Sequence, residues 1–471
     1  ADAWSMRLLV DETLAVYQGA ALPALPVQFA DYAEWQRDWL AAGEEQRQLA
    51  FWSAQLGDAG TVLDLPTDRP RPAEQSHRGA QHGIVLPAAL AHRLAGLALE
   101  RRATPYMVLL AGFFGLLQRW TGQSDLRIGV PVANRGRPET EPLIGFFVNT
   151  LVLRTDVSGN PRFVDLLDRV REVVLGAQSH QDVPFEQVVD ALSPSRDLSH
   201  APLFQVMFAL QTLGRQAMKI PDLTVEPVEV DPGSAKFDLS LEMTLAPEGL
   251  TGFFEFNADL FEPATIERMT AHFLILLENI VAEPQRKLAA LPLMESVERA
   301  QVVEGWNQTA RAYPTAAALP ALIQAQAART PEAIAVRAGA TPVTYAALLA
   351  QASQLAHALR AQGIGPEALV AVALERSVDL VVALVGTWYA GAAFVPLDPS
   401  YPVERLRYML DDSQAALLLT DTAQATRLAH PGPTRCLDQD GDARAKFPIT
   451  PPTGNPMEAQ LAYVLYTSGS T

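Results

Sequence analysis

Five residues near the end of this 471-residue sequence, Thr467, Ser468, Gly469, Ser470 and Thr471, set four hydroxyls around one glycine. Such loops hold phosphate oxygens, because hydroxyl and backbone N–H groups donate to anions and small side chains let the backbone come close. Taken alone the run is an ordinary loop. It follows an apolar segment, Leu461 to Tyr466, that reads as a strand, and a strand leading into such a loop is a nucleotide-binding arrangement. Other chemistry is sparse. The eight histidines are scattered with no metal-ligand spacing and Cys436 is the single cysteine, so no protein-held metal and no internal disulfide framework are expected. The sequence opens on an alanine and breaks off inside the loop, which leads us to expect an internal piece of a longer protein.

The elements that must position this loop follow from periodicity. After Pro314 helical and strand patterns alternate: helix Ala317–Ala328, strand Ala333–Val336, helix Tyr345–Gln362, strand Leu369–Leu374, helix Ser377–Tyr389, strand Ala393–Pro396, helix Val403–Asp411 and strand Ala415–Thr420. This alternation predicts an α/β unit with a largely parallel sheet. Earlier in the chain Asp31 reads as the N-cap of a helix with Tyr32, Trp35 and Trp39 on one face, and Thr104-Pro105 opens another. Leu126 to Val132, Leu203 to Leu210, Leu239 to Leu245 and Leu250 to Asn257 read as strands, and Pro263 to Ala282 as a long helix. Between Pro284 and Pro314 the periodicity lapses into a linker-like stretch.

Composition narrows the function. Apolar content of 49% with 19% charge fits a soluble globular chain of several domains. A net charge of −17, from 36 basic and 53 acidic residues, argues against a nucleic-acid partner, which requires a basic face. Leu380 to Leu397 carries no charge, but Gly386, Gly391 and Pro396 interrupt it, so it reads as buried helix, turn and strand, not a membrane span. One cysteine fits a cytoplasmic location.

Five ordered segments of the first two hundred residues resemble the condensation domain of nonribosomal peptide synthetases. Asp2-Ala3-Trp4-Ser5-Met6 is similar to the end of the His-His-x-x-x-Asp-Gly motif, with Ala3 for glycine and both histidines falling three and four residues before Ala1. Phe29-Ala30-Asp31-Tyr32-Ala33-Glu34-Trp35 resembles Tyr-x-Asp-Tyr-Ala-Val-Trp, with Phe29 at the first position. Ile144-Gly145-Phe146-Phe147-Val148-Asn149-Thr150, His180-Gln181-Asp182-Val183-Pro184-Phe185-Glu186 and Arg196-Asp197-Leu198-Ser199-His200-Ala201-Pro202-Leu203 resemble three further motifs. The resemblance implies a chloramphenicol-acetyltransferase-like α/β sandwich that joins two carrier-bound thioesters through an amide. Asp2 is then a structural member of the active-site motif, paired with an arginine for which Arg135 is the candidate; the other reading is that Asp2 caps the helix starting near Trp4. Asn149 and Thr150 either line the channel floor or close a strand-end turn. His180 is read as structural, and Trp35, Trp39 and Trp52 as core.

The last third resembles the start of an amino-acid adenylation domain, an acyl- or aminoacyl-adenylate-forming α/β fold. Val343-Thr344-Tyr345-Ala346-Ala347-Leu348, Ala390-Gly391-Ala392-Ala393-Phe394-Val395-Pro396-Leu397-Asp398-Pro399 (with Tyr389 where the family has lysine) and Leu461 to Thr471 carry it. It implies that Thr467, Ser468, Gly469, Ser470 and Thr471 contact the phosphates of ATP, with Mg2+ as the accompanying ion in the complete parent, and that an amino acid becomes an aminoacyl-adenylate. Phosphopantetheine enters on partner carrier domains upstream and downstream. The expected layout is a condensation domain over 1–285, a linker over 286–314 and the N-terminal part of an adenylation domain over 315–471. Lacking the histidines and the Gly-x-Pro-Lys-Gly that continues the loop, these residues by themselves are expected to be inactive. Two alternatives remain at this level: a degenerate condensation domain that only docks carrier proteins, and an acyltransferase fused to an acyl-acid ligase.

Overall fold

The computed structural model describes residues 2–57, 62–192, 197–211, 218–220, 223–225, 228, 230–246, 249–312, 318–339, 341–454 and 459–467. They divide into two units, Ala1–Gln308 and Thr309–Thr471.

In chain order the first unit contains α1 (Ala3–Tyr17), α2 (Phe29–Trp39), α3 (Glu45–Leu56), β1 (Gly79–Pro87), α4 (Ala88–Glu100), α5 (Pro105–Thr121), β2 (Asp125–Val132), β3 (Asn149–Asp156), α6 (Phe163–Gln178), α7 (Phe185–Leu192) and β4 (Val206–Gln211). A short hairpin of β5 (Met218–Ile220) and β6 (Leu223–Val225) precedes β7 (Leu239–Ala246), β8 (Gly249–Asn257), α8 (Pro263–Ala282) and α9 (Ser296–Ala300). Six strands form one mixed sheet in the order β1-β8-β7-β4-β2-β3. The pairs β4–β7 and β2–β4 are parallel; β1–β8, β7–β8 and β2–β3 are antiparallel.

Alternation aims Leu126, Ile128 and Val130 of β2, Leu239, Leu241 and Met243 of β7, and Phe254 and Phe256 of β8 into one core with α4, α5, α6 and α8. α5 is the axis of that core. Thr104 accepts from Met107 N at 3.3 Å, Pro105 pre-sets the first turn, and every residue from Met107 to Leu117 is buried. Gly129 of β2 lies flat under Phe204, where a Cβ would stand 2.2 Å from the ring. Asp31 differs from its sequence reading: Gln28 caps α2, and Asp31 sits three residues in, accepting from Gln28 N at 2.8 Å. Of the three tryptophans expected in the core, only Trp52 is fully buried; Trp35 stacks on Trp39, with ring centroids 5.4 Å apart, on a half-buried face. Leu288, Leu291 and Leu293, in the stretch that reads as linker, are buried in this core, and Arg119 donates to the carbonyls of Leu288 and Leu291 at 2.8 and 3.0 Å. Leu288 opens a three-residue 3-10 helix, Leu291 follows it in extended conformation and Leu293 lies in irregular chain, which is why they carry no helical signature.

The second unit comprises α10 (Leu319–Arg329), β9 (Ile334–Ala338), β10 (Thr341–Thr344), α11 (Tyr345–Ala361), β11 (Leu369–Ala373), α12 (Val378–Ala390), β12 (Ala393–Pro396), α13 (Val403–Ser413), β13 (Leu417–Thr420), α14 (Thr422–Leu428), β14 (Thr434–Cys436) and α15 (Gly441–Arg444). Four strands form a parallel sheet ordered β12-β11-β13-β14, beside an antiparallel β9–β10 hairpin. β11 is buried on both faces: Val370 and Val372 pack toward α11 and α12, Ala371 and Ala373 toward α13. The charge-free stretch resolves into α12, a turn at Gly391 (φ 90°) and β12. Among the described residues no helix is long and apolar enough to cross a membrane. Leu461 to Tyr466, expected as a strand, makes a single parallel bridge from Tyr463 to Phe394 of β12.

Candidate functional site

The first site forms where α1 begins. Asp2 caps the helix, its Oδ1 accepting from Ser5 N at 2.7 Å, while Oδ2 accepts from Phe147 N at 3.0 Å. Arg135, in the loop after β2, brings Nη2 to 3.3 and 3.5 Å from the two carboxylate oxygens. Both side chains are buried, at 6% and 2% exposure. The cap and the ion pair therefore coexist. Ser5 completes the network: its hydroxyl donates to Gly145 O at 2.7 Å and accepts from Gly145 N at 3.0 Å and Arg135 Nη2 at 2.8 Å. Arg135 Nη1 is taken up by the carbonyls of Thr140 and Leu143, and its guanidinium lies 4.0 Å from the centroid of the Phe147 ring.

Burial by itself raises the Asp2 carboxyl. The hydrogen bonds from Phe147 and Ser5, with the Arg135 charge, outweigh it and hold the group below its usual range. Burial draws the Arg135 guanidinium down, and Asp2 opposes the shift. With both oxygens engaged, Asp2 is a fastener and not a proton carrier. It locks the entry to α1 onto the segment Gly145–Phe147. Gly145 is required there: a Cβ would meet Phe29 at 2.3 Å and Phe147 at 2.8 Å.

Asn149, at the start of β3, is likewise consumed by structure. Its Nδ2 donates to Gln181 O and Val183 O at 2.7 and 2.8 Å, and its Oδ1 accepts from Thr150 N and Phe185 N at 2.9 and 3.0 Å. The amide thus closes the strand end and splints the 180–185 segment, leaving no group for a channel floor. Gln48 of α3, fully buried, performs the matching task from the other side, accepting from Asp182 N and Val183 N at 3.0 Å each. His180 is not placed for proton transfer. Its Nδ1 lies 2.8 Å from Gly176 O and its Nε2 2.9 Å from Arg47 Nη1, and its ring stacks on Phe51 at 3.9 Å.

The second site is the approach to the hydroxyl-rich loop. Phe394 N donates to Ala462 O at 3.3 Å and Val464 N to Phe394 O at 3.0 Å, so the segment runs parallel to β12 at the sheet edge. Trp388 Nε1 donates to Ala462 O at 2.9 Å, and Tyr389 is buried beneath, its phenol pushed up to about 12 by burial. Thr467 therefore emerges past the carboxyl ends of the strands, where open α/β sheets bind ligands. Ser468, Gly469, Ser470 and Thr471 lie outside the described residues.

A family model described as condensation domain matches residues 1–303. The chain belongs to the condensation-domain family. After the condensation domain, a model described as AMP-binding enzyme matches residues 323–471. The whole chain is 45% identical to a stretch of a linear gramicidin synthase polypeptide of Brevibacillus parabrevis, spanning 6% of that protein. It is 40% identical to phosphinothricin tripeptide synthetase PhsB of Streptomyces viridochromogenes, spanning 41% of it. A solved four-domain nonribosomal peptide synthetase bound to AMP and glycine superposes over 99% of this chain and 36% of its own, with TM-score 0.82 and 28% identity. Within the condensation domain, Ser5 and Gln48 are the residues that sequence reasoning missed. Ser5 had a usable signal, three residues beyond a helix-capping aspartate; Gln48 had none, since its partners lie 134 and 135 residues away.

Proposed function

We propose that the condensation domain serves amide formation between two carrier-bound thioesters, and that the AMP-binding part serves activation of an amino acid by ATP. The carrying observation is the buried Asp2–Arg135–Ser5 network, which fixes the aspartate that the family's motif sets four residues after its second histidine. Amine attack on a thioester requires a group held in register with the carbonyl, and a misplacement of about 1 Å costs on the order of a hundredfold. In this reading Arg135, Gly145 and Phe147 are positioning residues, and no step passes through Asp2.

The phosphopantetheine arms arrive with the carrier domains as part of the substrates. Thr467, followed by Ser468, Gly469, Ser470 and Thr471, would face the phosphates of ATP, a chemistry that suits hydroxyl donors. Mg2+ would accompany the nucleotide, carried on its phosphates. The test uses the complete parent polypeptide. Amino-acid-dependent ATP–pyrophosphate exchange, together with product formation between donor- and acceptor-loaded carriers, is expected. Arg135→Ala should reduce amide formation at least tenfold while leaving exchange unchanged. Exchange with fatty or aryl acids alone would point to an acyl-acid ligase; exchange without amide formation would point to a docking role for the condensation domain.

A further inference from the structure

We infer that Tyr466 and Asp412 are a positioning pair for the nucleotide loop, an inference that rests on the ATP-binding reading above. The Tyr466 hydroxyl donates to Asp412 Oδ2, in the last turn of α13, at 2.5 Å, with Met409 O of the same helix a longer second acceptor at 3.5 Å. The segment that delivers the loop is held to the sheet by one bridge only, Phe394 with Tyr463, among the described residues. Its remaining supports are side chains. Trp388 holds Ala462 O, Val464 and the Tyr466 ring pack on the core below α13, and the Tyr466 hydroxyl is tied to α13 itself. Tyr466 is thus the residue that joins a packed core to Thr467, the first hydroxyl of the loop, and its tether sets the height and direction at which that hydroxyl leaves the sheet. Burial and the neighbouring Asp412 carboxylate push the phenol up to about 12, so it stays protonated and donates across the working pH range. The ring packs equally well without its oxygen, so the hydroxyl has a separable role.

The experiment is ATP–pyrophosphate exchange by the complete parent polypeptide, with ATP and the amino acid varied separately. Tyr466→Phe and Asp412→Ala are expected to raise the KM for ATP roughly five- to tenfold, with kcat within about twofold and the amino-acid KM unchanged. Asp412→Asn, which keeps an acceptor for the phenol, should restore the ATP KM. An ATP KM in Tyr466→Phe within twofold of the unsubstituted protein overturns the inference. So does an equal rise in both KM values, which marks a general loss of structure, or failure of Asp412→Asn to rescue. An unsubstituted protein that activates no amino acid overturns the underlying reading instead, and is recognised before any variant is made.

Discussion

Every oxygen of the Asp2 carboxylate is engaged inside the protein, by two backbone N–H groups and one guanidinium. Removing the guanidinium alone leaves a buried carboxylate with reduced compensation. Arg135→Met should therefore cost about 3 kcal/mol in unfolding free energy of the condensation unit. Asp2→Asn keeps the cap acceptor for Ser5 N but turns an Nδ2 donor toward Phe147 N and Arg135 and strands the buried guanidinium, so it should likewise cost about 3 kcal/mol. The pH dependence has a definite sign. The folded carboxyl titrates below its ordinary 3.8, so the unfolded chain takes up the proton first. Its stabilisation is complete above that value and is lost as pH falls through the lower, folded one. Unfolding free energies of the unsubstituted protein and Asp2→Asn should converge below about pH 4; curves that stay parallel from about pH 5 to 3 would show that the carboxylate charge contributes nothing. Arg135, 133 residues from Asp2, was accessible as a candidate because the family resemblance pairs the motif's aspartate with an arginine and Arg135 stands just past the strand Leu126 to Val132. Gln48 was not, since a polar residue inside a helix gives no sign of a partner more than a hundred residues away.

At the scale of elements, Gly145 is where α1, α2 and the segment before β3 meet. Gly145→Ala would drive a methyl into Phe29 and Phe147, and overpacking of this kind costs about 1–3 kcal/mol. Pairing it with Phe29→Ala should recover part of the loss, so the double variant should be less destabilised than the sum of the two singles; strict additivity in thermal or urea unfolding would show that the crowding is relieved elsewhere. Element positions were most legible where one periodicity ran without interruption: Pro263–Ala282 and Ala393–Pro396 have the bounds the pattern gave. Legibility failed where the fold overrides the local signal. Leu461–Tyr466 is apolar and alternates like a strand, with Val464 and Tyr466 facing the core, but only Tyr463 pairs. Trp35 and Trp39 are aromatic enough for any core, and instead stack on each other, with Arg137 lying 3.9 Å over Trp35. Burial of a large side chain is decided by what packs against it, and that information is non-local.

For the whole molecule, the two units have separate hydrophobic cores. Phe113, fully buried on α5, sits within about ring-contact distance of Phe208, Phe254 and Phe273, at 5.9, 6.2 and 6.0 Å. Leu355, fully buried on α11, belongs to the core that the second unit builds on one face of its parallel sheet. Among the described residues, neither core contains a residue of the other unit. Cores that share no side chains unfold as separate cooperative systems unless an interface couples them. Calorimetry of the 471-residue chain should therefore resolve two transitions. Phe113→Ala, with a cost of about 3–5 kcal/mol, should lower one of them, and Leu355→Ala, with about 2–5 kcal/mol, the other. Selectivity is the decisive readout: since each substitution opens a cavity in one core only, the transition of the untouched core should hold its midpoint within about 1 °C while its neighbour's falls by several degrees. A single transition displaced alike by both substitutions would mean that the units unfold as one cooperative system.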